Sequence, residues 1–257
     1  MSRAPRVVFP GAIYHITSRG NRRAAIYHDR RDHLIWLDTL AETVENHELK
    51  VHAFCLMPNH YHLLMETVRA NLSEAMHQLN ASYCQHFNNR HRLTGHVIQG
   101  RFHAVTVARS EQLLAVARYI SLNPVRAKLV NDAADWLWGS HRYYLSPDDA
   151  PDWLETKWIL SQFGPGDQSR RIVAYKEFVA SGVDLPNPLK FHTERPNPRS
   201  AAAHPLATYA ASYLNRDEAM ARAFQTSAYT RLEIALHFGV SIRTVARAIK
   251  SYAQDDS

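Results

Sequence analysis

The sequence predicts an α+β protein: a ferredoxin-like βαββαβ domain with an antiparallel sheet, a helical extension and a C-terminal all-α helix-turn-helix domain. Three observations support this prediction. Four short segments are typical of strands, and the first and last of them alternate apolar and polar residues. Longer segments between them repeat apolar residues at helical spacing. The order strand, helix, strand, strand, helix, strand is that of a split βαβ sheet with helices on one face.

The individual elements follow from local signals. Strands are predicted over 12–18, 51–57, 60–66 and 101–107, and Pro58-Asn59 is the turn of a hairpin. A helix is predicted over 32–47 with Asp32 as its cap, and a second from Asn71 or Ser73 to about Asn88. A third begins at Ser110 and ends or kinks at Asn123-Pro124, because the residue before proline disfavours the helical conformation.

The chain divides into four parts by composition. Residues 1–130 form the sheet domain, and 131–183 form a helical extension rich in tryptophan and tyrosine. Five prolines and little periodicity mark 184–205 as a linker. Residues 206–257 are helical again and form the predicted C-terminal domain.

Positive charge is concentrated in two stretches of the chain. Residues 1–31 hold seven arginines and one acid, Asp29, which gives 7 − 1 = +6. Residues 86–109 hold four arginines, four histidines and no acid. Such stretches suit a groove that follows a phosphate backbone, and a solvated arginine face is an equally good interpretation from charge alone.

The remaining composition indicates a cytoplasmic protein. Cys55 and Cys84 lie in apolar or helical patterns without metal-type spacing, which fits reduced thiols. The N-terminus lacks the apolar core of a signal peptide, and no apolar run approaches a membrane span. We therefore expect a soluble, intracellular protein with no membrane partner.

Four side chains form a candidate catalytic set. His60 and His62 are two apart on a strand, so both can face one metal ion while Tyr61 faces the other way. Tyr119 and Asn123 are four apart on a helix and project from one face. Each pattern alone is weak in a chain with 16 histidines and 12 tyrosines. Together they suit metal-assisted attack of a tyrosine oxygen on a phosphodiester.

A second pattern lies in the last thirty residues. Residues 229–249 combine the small Ala235, the turn residue Gly239 and apolar positions typical of a helix-turn-helix. The predicted second helix offers Arg243, Arg247 and Lys250 on an exposed side. DNA binding is favoured over a helical hairpin that only packs.

The sequence resembles the single-tyrosine HUH transposases, and among them the REP-associated tyrosine transposases that act on short palindromic repeats. The resemblance covers roughly the first 180 residues, and the histidine pair precedes the tyrosine, unlike the order in plasmid relaxases. The added C-terminal helix-turn-helix departs from the minimal catalytic fold. The matching segments are Tyr14-His15-Ile16-Thr17-Ser18-Arg19-Gly20-Asn21, Met57-Pro58-Asn59-His60-Tyr61-His62-Leu63-Leu64, Gly100-Arg101-Phe102 and Tyr119-Ile120-Ser121-Leu122-Asn123-Pro124-Val125-Arg126-Ala127.

This resemblance implies a role for each candidate residue. Tyr119 is the implied nucleophile, and His60, His62 and Asn123 are the implied ligands of a divalent ion, Mg²⁺ or Mn²⁺. The implied reaction cleaves single-stranded DNA beside a hairpin through a 5′-phosphotyrosine, in transposition or a host-adapted version of it. The implied state is a monomer or a homodimer. The residues expected to contact DNA are Arg19, Asn21, Arg22, Arg23, Arg101, Arg126, Arg243, Arg247 and Lys250.

Two further expectations and two rivals accompany this interpretation. Arg126 should help Tyr119 to lose its proton, and Phe102 and Tyr61 are candidates for stacking on bases or for the core. The first rival is a non-catalytic regulator that binds DNA through the helix-turn-helix. The second, a structural zinc protein, is weak because no quartet of suitably spaced ligands is evident.

Overall fold

The computed structural model describes residues 9–107, 111–189, 206–213, 215–225, 229 and 231–252. The chain divides into two compact units, Met1–Phe191 and His192–Ser257. The N-terminal Arg3 and Arg6 and most of the expected linker, residues 190–205, lie outside the described residues.

The first unit contains a four-stranded antiparallel sheet with the order β2-β3-β1-β4. This order, with β1 and β3 in the centre and the hairpin partner β2 at one edge, is that of a ferredoxin-like sheet, so the α+β class predicted for the sheet domain is confirmed. The strands are β1 Ala12–Arg19, β2 Leu49–Met57, β3 His60–Thr67 and β4 His103–Val107.

The helices of the first unit alternate with the strands and then continue as an extension. Among the described residues, no helix is long and apolar enough to span a membrane. The helices are α1 Arg30–His47, α2 Leu72–His91, α3 Glu111–Ser121, α4 Asn123–Arg126, α5 His141–Leu145, α6 Lys157–Ser161 and α7 Gln168–Ala180.

Alternation along the strands divides the sheet into two faces. Tyr61 and Leu63 of β3 join a core with Trp36 of α1 and Leu79 of α2, and all four are fully buried. We call this the α1/α2 face. Tyr61 also donates its hydroxyl hydrogen to Asn80, so it belongs to the core and is not available to stack on bases. Phe102 is likewise buried in this cluster.

Helices cover the other face as well, which the sequence interpretation did not include. Ile13 of β1 and Leu64 of β3 pack with Val116 of α3, and with Tyr144 and Tyr175 of the extension. We call this the α3 face. The extension is therefore required to bury the second side of the sheet.

The start of α1 differs from the prediction. Its cap is Asp29, whose carboxylate accepts hydrogen bonds from the backbone N–H groups of Arg31 and Asp32. Asp32 lies inside the first turn, where its side chain is 1 % exposed. There it pairs with Arg90 and His91 at the end of α2 and accepts a hydrogen bond from the backbone N–H of His28. The carboxylate predicted to cap the helix instead joins two helices.

The helix break predicted at Asn123-Pro124 lies one residue earlier, at Leu122, and Asn123 itself is helical. The α3 helix ends at Ser121, and the short α4 begins at Asn123 with Pro124 in its first turn, where a proline needs no N–H partner. Tyr119 therefore lies in the last turn of α3.

The second unit is described by itself. Its helices surround a small core that includes Met220, Ile234 and Val245, all fully buried. Gly239, with φ +64°, turns the chain between the last two helices, and Val240 N–H bonds the carbonyl of Ala235. The helices are α8 Leu206–Ser212, α9 Arg216–Gln225, α10 Arg231–Phe238 and α11 Ile242–Tyr252.

We predict that Asp32→Ala lowers the free energy of unfolding by about 1–3 kcal/mol, because the backbone N–H of His28 loses its buried acceptor and Arg90, which keeps Asp29, loses one of its two carboxylate partners. Burial alone would raise the pKa of Asp32, but hydrogen bonds from His28 N–H, His91 and Arg90 hold it below the ordinary value. Urea unfolding of the full chain at pH 7 measures the loss. Asp38→Ala, which removes an exposed carboxylate from the same helix, is the control, and equal losses in both variants would contradict the prediction.

Candidate active site

Three imidazoles lie side by side on the α3 face of the sheet. The rings of His60 and His62 are 5.0 Å apart between centroids. His15 of β1 joins them, with its ring 5.2 Å from that of His62 and nearly parallel to it. This follows from the register, which pairs Thr17 with His62 and so sets His15 on the diagonal of the same face.

The phenol of Tyr119 approaches this group from α3. Its ring centroid is 6.0 Å from His62 and 6.2 Å from His15, edge to face in both cases. The structure therefore brings Tyr119 close to the pair of His60 and His62, from which it is separated by about sixty residues in sequence. Their chemical roles stay predictions.

Hydrogen bonds orient the two histidines of the pair. His60 Nδ1 lies 2.7 Å from Asn59 Oδ1, and the Asn59 amide is itself held because its Nδ2 donates to the carbonyl of Arg23. His62 Nδ1 lies 3.0 Å from His15 Nε2. His62 Nε2 is buried and has no hydrogen-bond partner among the described residues. A buried imidazole nitrogen in this state fits a ligand to a metal ion.

The local environment keeps these imidazoles neutral. Burial lowers the pKa of His15 to about 4, and His103 on β4 adds to the effect. Burial also lowers the pKa of His60, with a contribution from Arg19. For His62 burial lowers the pKa well below its ordinary value, with His15 and His60 adding. Neutral imidazole is the form that binds metals.

The surrounding protein does not by itself lower the pKa of the Tyr119 phenol. Burial raises the pKa of its phenol, and Arg126 opposes this, with its guanidinium carbon 5.0 Å from the ring centroid. Because the net shift is upward, additional positive charge is needed to produce the phenolate near neutral pH.

Arg126 has a structural position as well as an electrostatic one. Its guanidinium donates to the backbone carbonyls of Gly182, Val183 and Leu185, which follow α7. Arg118 lies over the ring of Phe178, 4.2 Å from its centroid, and a Cβ at Gly182 would come within 2.4 Å of the Arg118 side chain. These arginines join α3 and α4 to the extension, and a DNA contact by Arg126 stays a prediction.

Asn123 is turned toward its own helix. Its amide nitrogen donates to the carbonyl of Tyr119 at 2.9 Å, which continues the hydrogen bonding of α3 across the helix break. The side chain is half-buried. Its role as a third ligand stays a prediction.

Four of the arginines predicted to bind DNA lie at one end of the sheet: Arg19, Arg22, Arg23 and Arg101. Arg19, opposite His60 in the register, donates to Gln99 at 3.1 Å, and the backbone of 97–99 pairs with that of 19–21. Arg22 and Arg23 have φ values of 54° and 61°, in the left-handed region. The exposed basic side chains here are Arg19, Arg22, Arg23, His96 and Arg101.

A cavity of about 370 Å³ opens at the same end of the sheet. The amides of Asn21 and Gln99 line it together with His96, Ile98 and Gly100. Side-chain amides offer both donors and acceptors, which suits contact with base edges or sugar and phosphate groups.

A separate cluster also offers metal-type ligands. One ligand atom each from His28, Asp32 and His91 lies within 4.8 Å of the others. However, Arg90 bonds the same carboxylate of Asp32 and lies 3.2 Å from His91 Nε2. The negative charge of Asp32 is therefore already paired with the guanidinium of Arg90, and we assign this cluster to the ion-pair network between α1 and α2.

The sequence interpretation missed one member of the group, His15. The residue stands within a strand whose alternation was evident, so its face could have been compared with that of His62. That comparison needs the pairing register of β1 with β3, which the strand pattern alone does not give.

Comparison with known proteins gives a family match and matches to several solved structures. Residues 9–123, from just before β1 to Asn123, match the model of the IS200-like transposase family. The fold is similar to that of a REP-associated tyrosine transposase bound to a REP hairpin, with 17 % identity and a TM-score of 0.50 over 65 % of this chain and 93 % of that one. A protein from Deinococcus radiodurans R1 described as a transposase matches with 16 % identity over 42 % of this chain and 88 % of that one, and its TM-score of 0.34 is too low to support an argument. No curated protein matches the chain.

Proposed function

We propose that this chain, whose residues 9–123 match the IS200-like transposase family, cleaves and rejoins single-stranded DNA beside a hairpin. The observation that carries the proposal is the meeting of His60, His62 and Tyr119 on one face of the sheet. The fold is that of a protein described with a REP hairpin bound, which makes a palindromic DNA hairpin the first substrate to test.

The histidine pair suits a divalent ion. His62 Nε2 is a buried nitrogen without a described partner, and the Nδ1 of His60 is engaged by an amide oxygen that only accepts. His60 therefore carries its proton on Nδ1 and offers Nε2 as a lone pair. Asn123 is the proposed third ligand: its amide nitrogen donates to the carbonyl of Tyr119, and its amide oxygen would bind the ion. A bound Mg²⁺ or Mn²⁺ would supply Lewis-acid polarisation of the scissile phosphate.

Tyr119 is the proposed nucleophile. Its phenolic oxygen loses its proton to solvent and forms a bond to phosphorus, and the bond between phosphorus and the 3′ oxygen breaks. The leaving oxygen takes up a proton and becomes a 3′-hydroxyl, while a 5′-phosphotyrosine holds the other strand end. Attack by a 3′-hydroxyl on this phosphotyrosine reverses the step, so strands can be rejoined without ATP.

The arginines at the end of the sheet provide the proposed DNA path. Arg19 lies opposite His60, so a backbone that follows Arg19 and Arg22 leads to the histidine pair. The positive φ values of Arg22 and Arg23 cost about 1–2 kcal/mol each, and strain of this kind is concentrated at functional sites. The amide-lined cavity beside them would take an unpaired nucleotide.

The C-terminal unit has a second proposed function in duplex DNA binding. Val245 and Ala248 of α11 are buried, whereas Arg243 and Arg247, four residues apart, are exposed on one side. The turn at Gly239 and the cap by Ser241, whose hydroxyl accepts from Thr244 N–H, fit a helix-turn-helix. The side chain of Lys250 lies outside the described residues. A regulator that uses this unit alone is the alternative function.

We predict that Tyr119→Phe abolishes the covalent adduct with a labelled single-stranded hairpin oligonucleotide and leaves hairpin affinity within about two-fold, because only the nucleophilic oxygen is lost. A denaturing gel with Mn²⁺ measures the adduct, and filter binding measures affinity. Tyr143→Phe removes a half-buried phenol from the extension and should keep full adduct formation. An adduct formed by Tyr119→Phe would show that another residue is the nucleophile.

We predict that His60→Ala reduces metal-dependent cleavage at least about 100-fold, because Lewis-acid stabilisation contributes several kcal/mol. Single-turnover cleavage across a Mn²⁺ titration measures the effect. His77→Ala, which removes an exposed imidazole from α2, is the matched control. Cleavage by His60→Ala at the rate of the unmodified chain would exclude His60 as a ligand.

For the C-terminal unit, we predict that replacing both Arg243 and Arg247 with alanine reduces the slope of log affinity against log salt on duplex DNA by about 1.8, since each phosphate contact contributes about 0.9. Adduct formation on the hairpin should persist. Arg216→Ala removes a cation that lies 3.9 Å from Asp217 and serves as the control. An unchanged salt slope in the double variant would place duplex binding elsewhere.

A further inference from the structure

We propose that His15 is a positioning residue: it accepts a hydrogen bond from Nδ1–H of His62 and so fixes the tautomer in which His62 Nε2 is a lone pair aimed at a divalent ion. This inference rests on the proposed function, since it concerns the same metal site. It adds a residue of β1, His15, to a metal site whose proposed histidine ligands both lie on β3.

The contact is well defined in the structure. His15 Nε2 and His62 Nδ1 are 3.0 Å apart, and the two rings are inclined by only 20°. Both side chains are nearly excluded from solvent, with His15 at 5 % and His62 at 6 % exposure. A bond between two neutral imidazoles needs one nitrogen to donate and the other to accept, so the contact allows two arrangements.

Only one arrangement suits the surroundings of His62. If His15 donated, neutral His62 would carry its proton on Nε2, which is buried without a partner among the described residues. An unpaired buried nitrogen costs about 1–3 kcal/mol whether it is a donor or an acceptor, but only the acceptor form can bind a cation and so be satisfied. If His62 donates from Nδ1, its Nε2 becomes a lone pair, which a divalent ion satisfies.

The neighbouring histidine shows the same construction. His60 Nδ1 faces Asn59 Oδ1, an oxygen that only accepts, so its proton is fixed on Nδ1. Asn59 thus accepts the Nδ1 hydrogen of His60 in the same way as His15 is proposed to accept that of His62. Such outer partners usually orient the ring of a metal ligand and increase its basicity, and their loss typically costs 10–100-fold in metal affinity.

The contacts of His15 indicate a positioning residue, not a metal ligand. Its Nε2 is engaged with His62, and its ring meets Tyr119 edge to face at 6.2 Å. From the centre of the sheet, His15 therefore holds the ring of His62 in place while Tyr119 packs against both.

The first test reads the tautomer directly in the full chain with Mg²⁺, which is diamagnetic and therefore permits NMR. Nitrogen-15 NMR of labelled histidines should show His62 protonated on Nδ1. His15→Leu, which removes the acceptor, should shift His62 toward the Nε2–H form, and His15→Gln, whose amide oxygen can accept, should retain Nδ1–H. His62 found on Nε2–H in the unmodified chain would overturn the proposal.

The second test measures metal affinity by calorimetric titration with Mn²⁺. We expect His15→Leu to weaken binding 10–100-fold and His15→Gln to recover most of the loss. His77→Leu on α2 is the control for loss of an imidazole, and circular dichroism checks that each variant folds. Unchanged affinity in His15→Leu would overturn the role of His15.

Two further measurements separate the possible failures. Electron spin-echo modulation with bound Mn²⁺ counts the imidazole nitrogens that bind the ion. We expect two such nitrogens in the unmodified chain and two in His15→Gln. Three in the unmodified chain and two in His15→Gln would make His15 a ligand and overturn the proposal. His62→Ala should weaken Mn²⁺ binding strongly. If it does not, the metal pair itself is wrong, and the proposed function fails together with this inference.

Discussion

The pairing of β3 between β1 and β2 is the constraint on which the candidate site depends. Antiparallel register fixes which residue of β1 stands beside each residue of β3, and a slip by one residue would send every side chain to the opposite face. In the observed register His60, His62 and His15 share a face, while Tyr61 enters the core with Trp36. The apolar side chains of the α1/α2 face therefore enforce the position of the polar group on the other face.

Covering both faces of the sheet has a further consequence for the site. The α3 helix contributes Val116 and Ile120 to the core of its face, and Tyr119 is carried to the imidazoles by the same packing. The extension completes this core and is tied to α3 and α4 through Arg118 and Arg126. The position of the phenol is thus set by contacts well outside the site, and the helix break before Pro124 limits how far the regular helix extends.

Burial shifts the pKa values of the three imidazoles and of Tyr119 in opposite directions. Burial keeps the imidazoles neutral, the form that binds metals, and it also raises the pKa of the phenol of Tyr119, the proposed nucleophile. The proposed divalent ion would meet both conditions, because its positive charge would favour the phenolate of Tyr119 and it would accept the lone pair of His62 Nε2. The strained Arg22 and Arg23 add charge at the neighbouring end of the sheet.

The sequence by itself determined the order of strands and helices, the common face of His60 and His62, and a helix break close to Pro124, because periodicity and proline chemistry act over a few residues. Only the tertiary structure decided that His15 stands beside His62, that Asp32 joins α1 to α2 instead of capping a helix, and that Arg126 holds the chain after α7. These contacts link residues about fifty or more positions apart, and their register is set by packing of the whole core, which no local pattern contains.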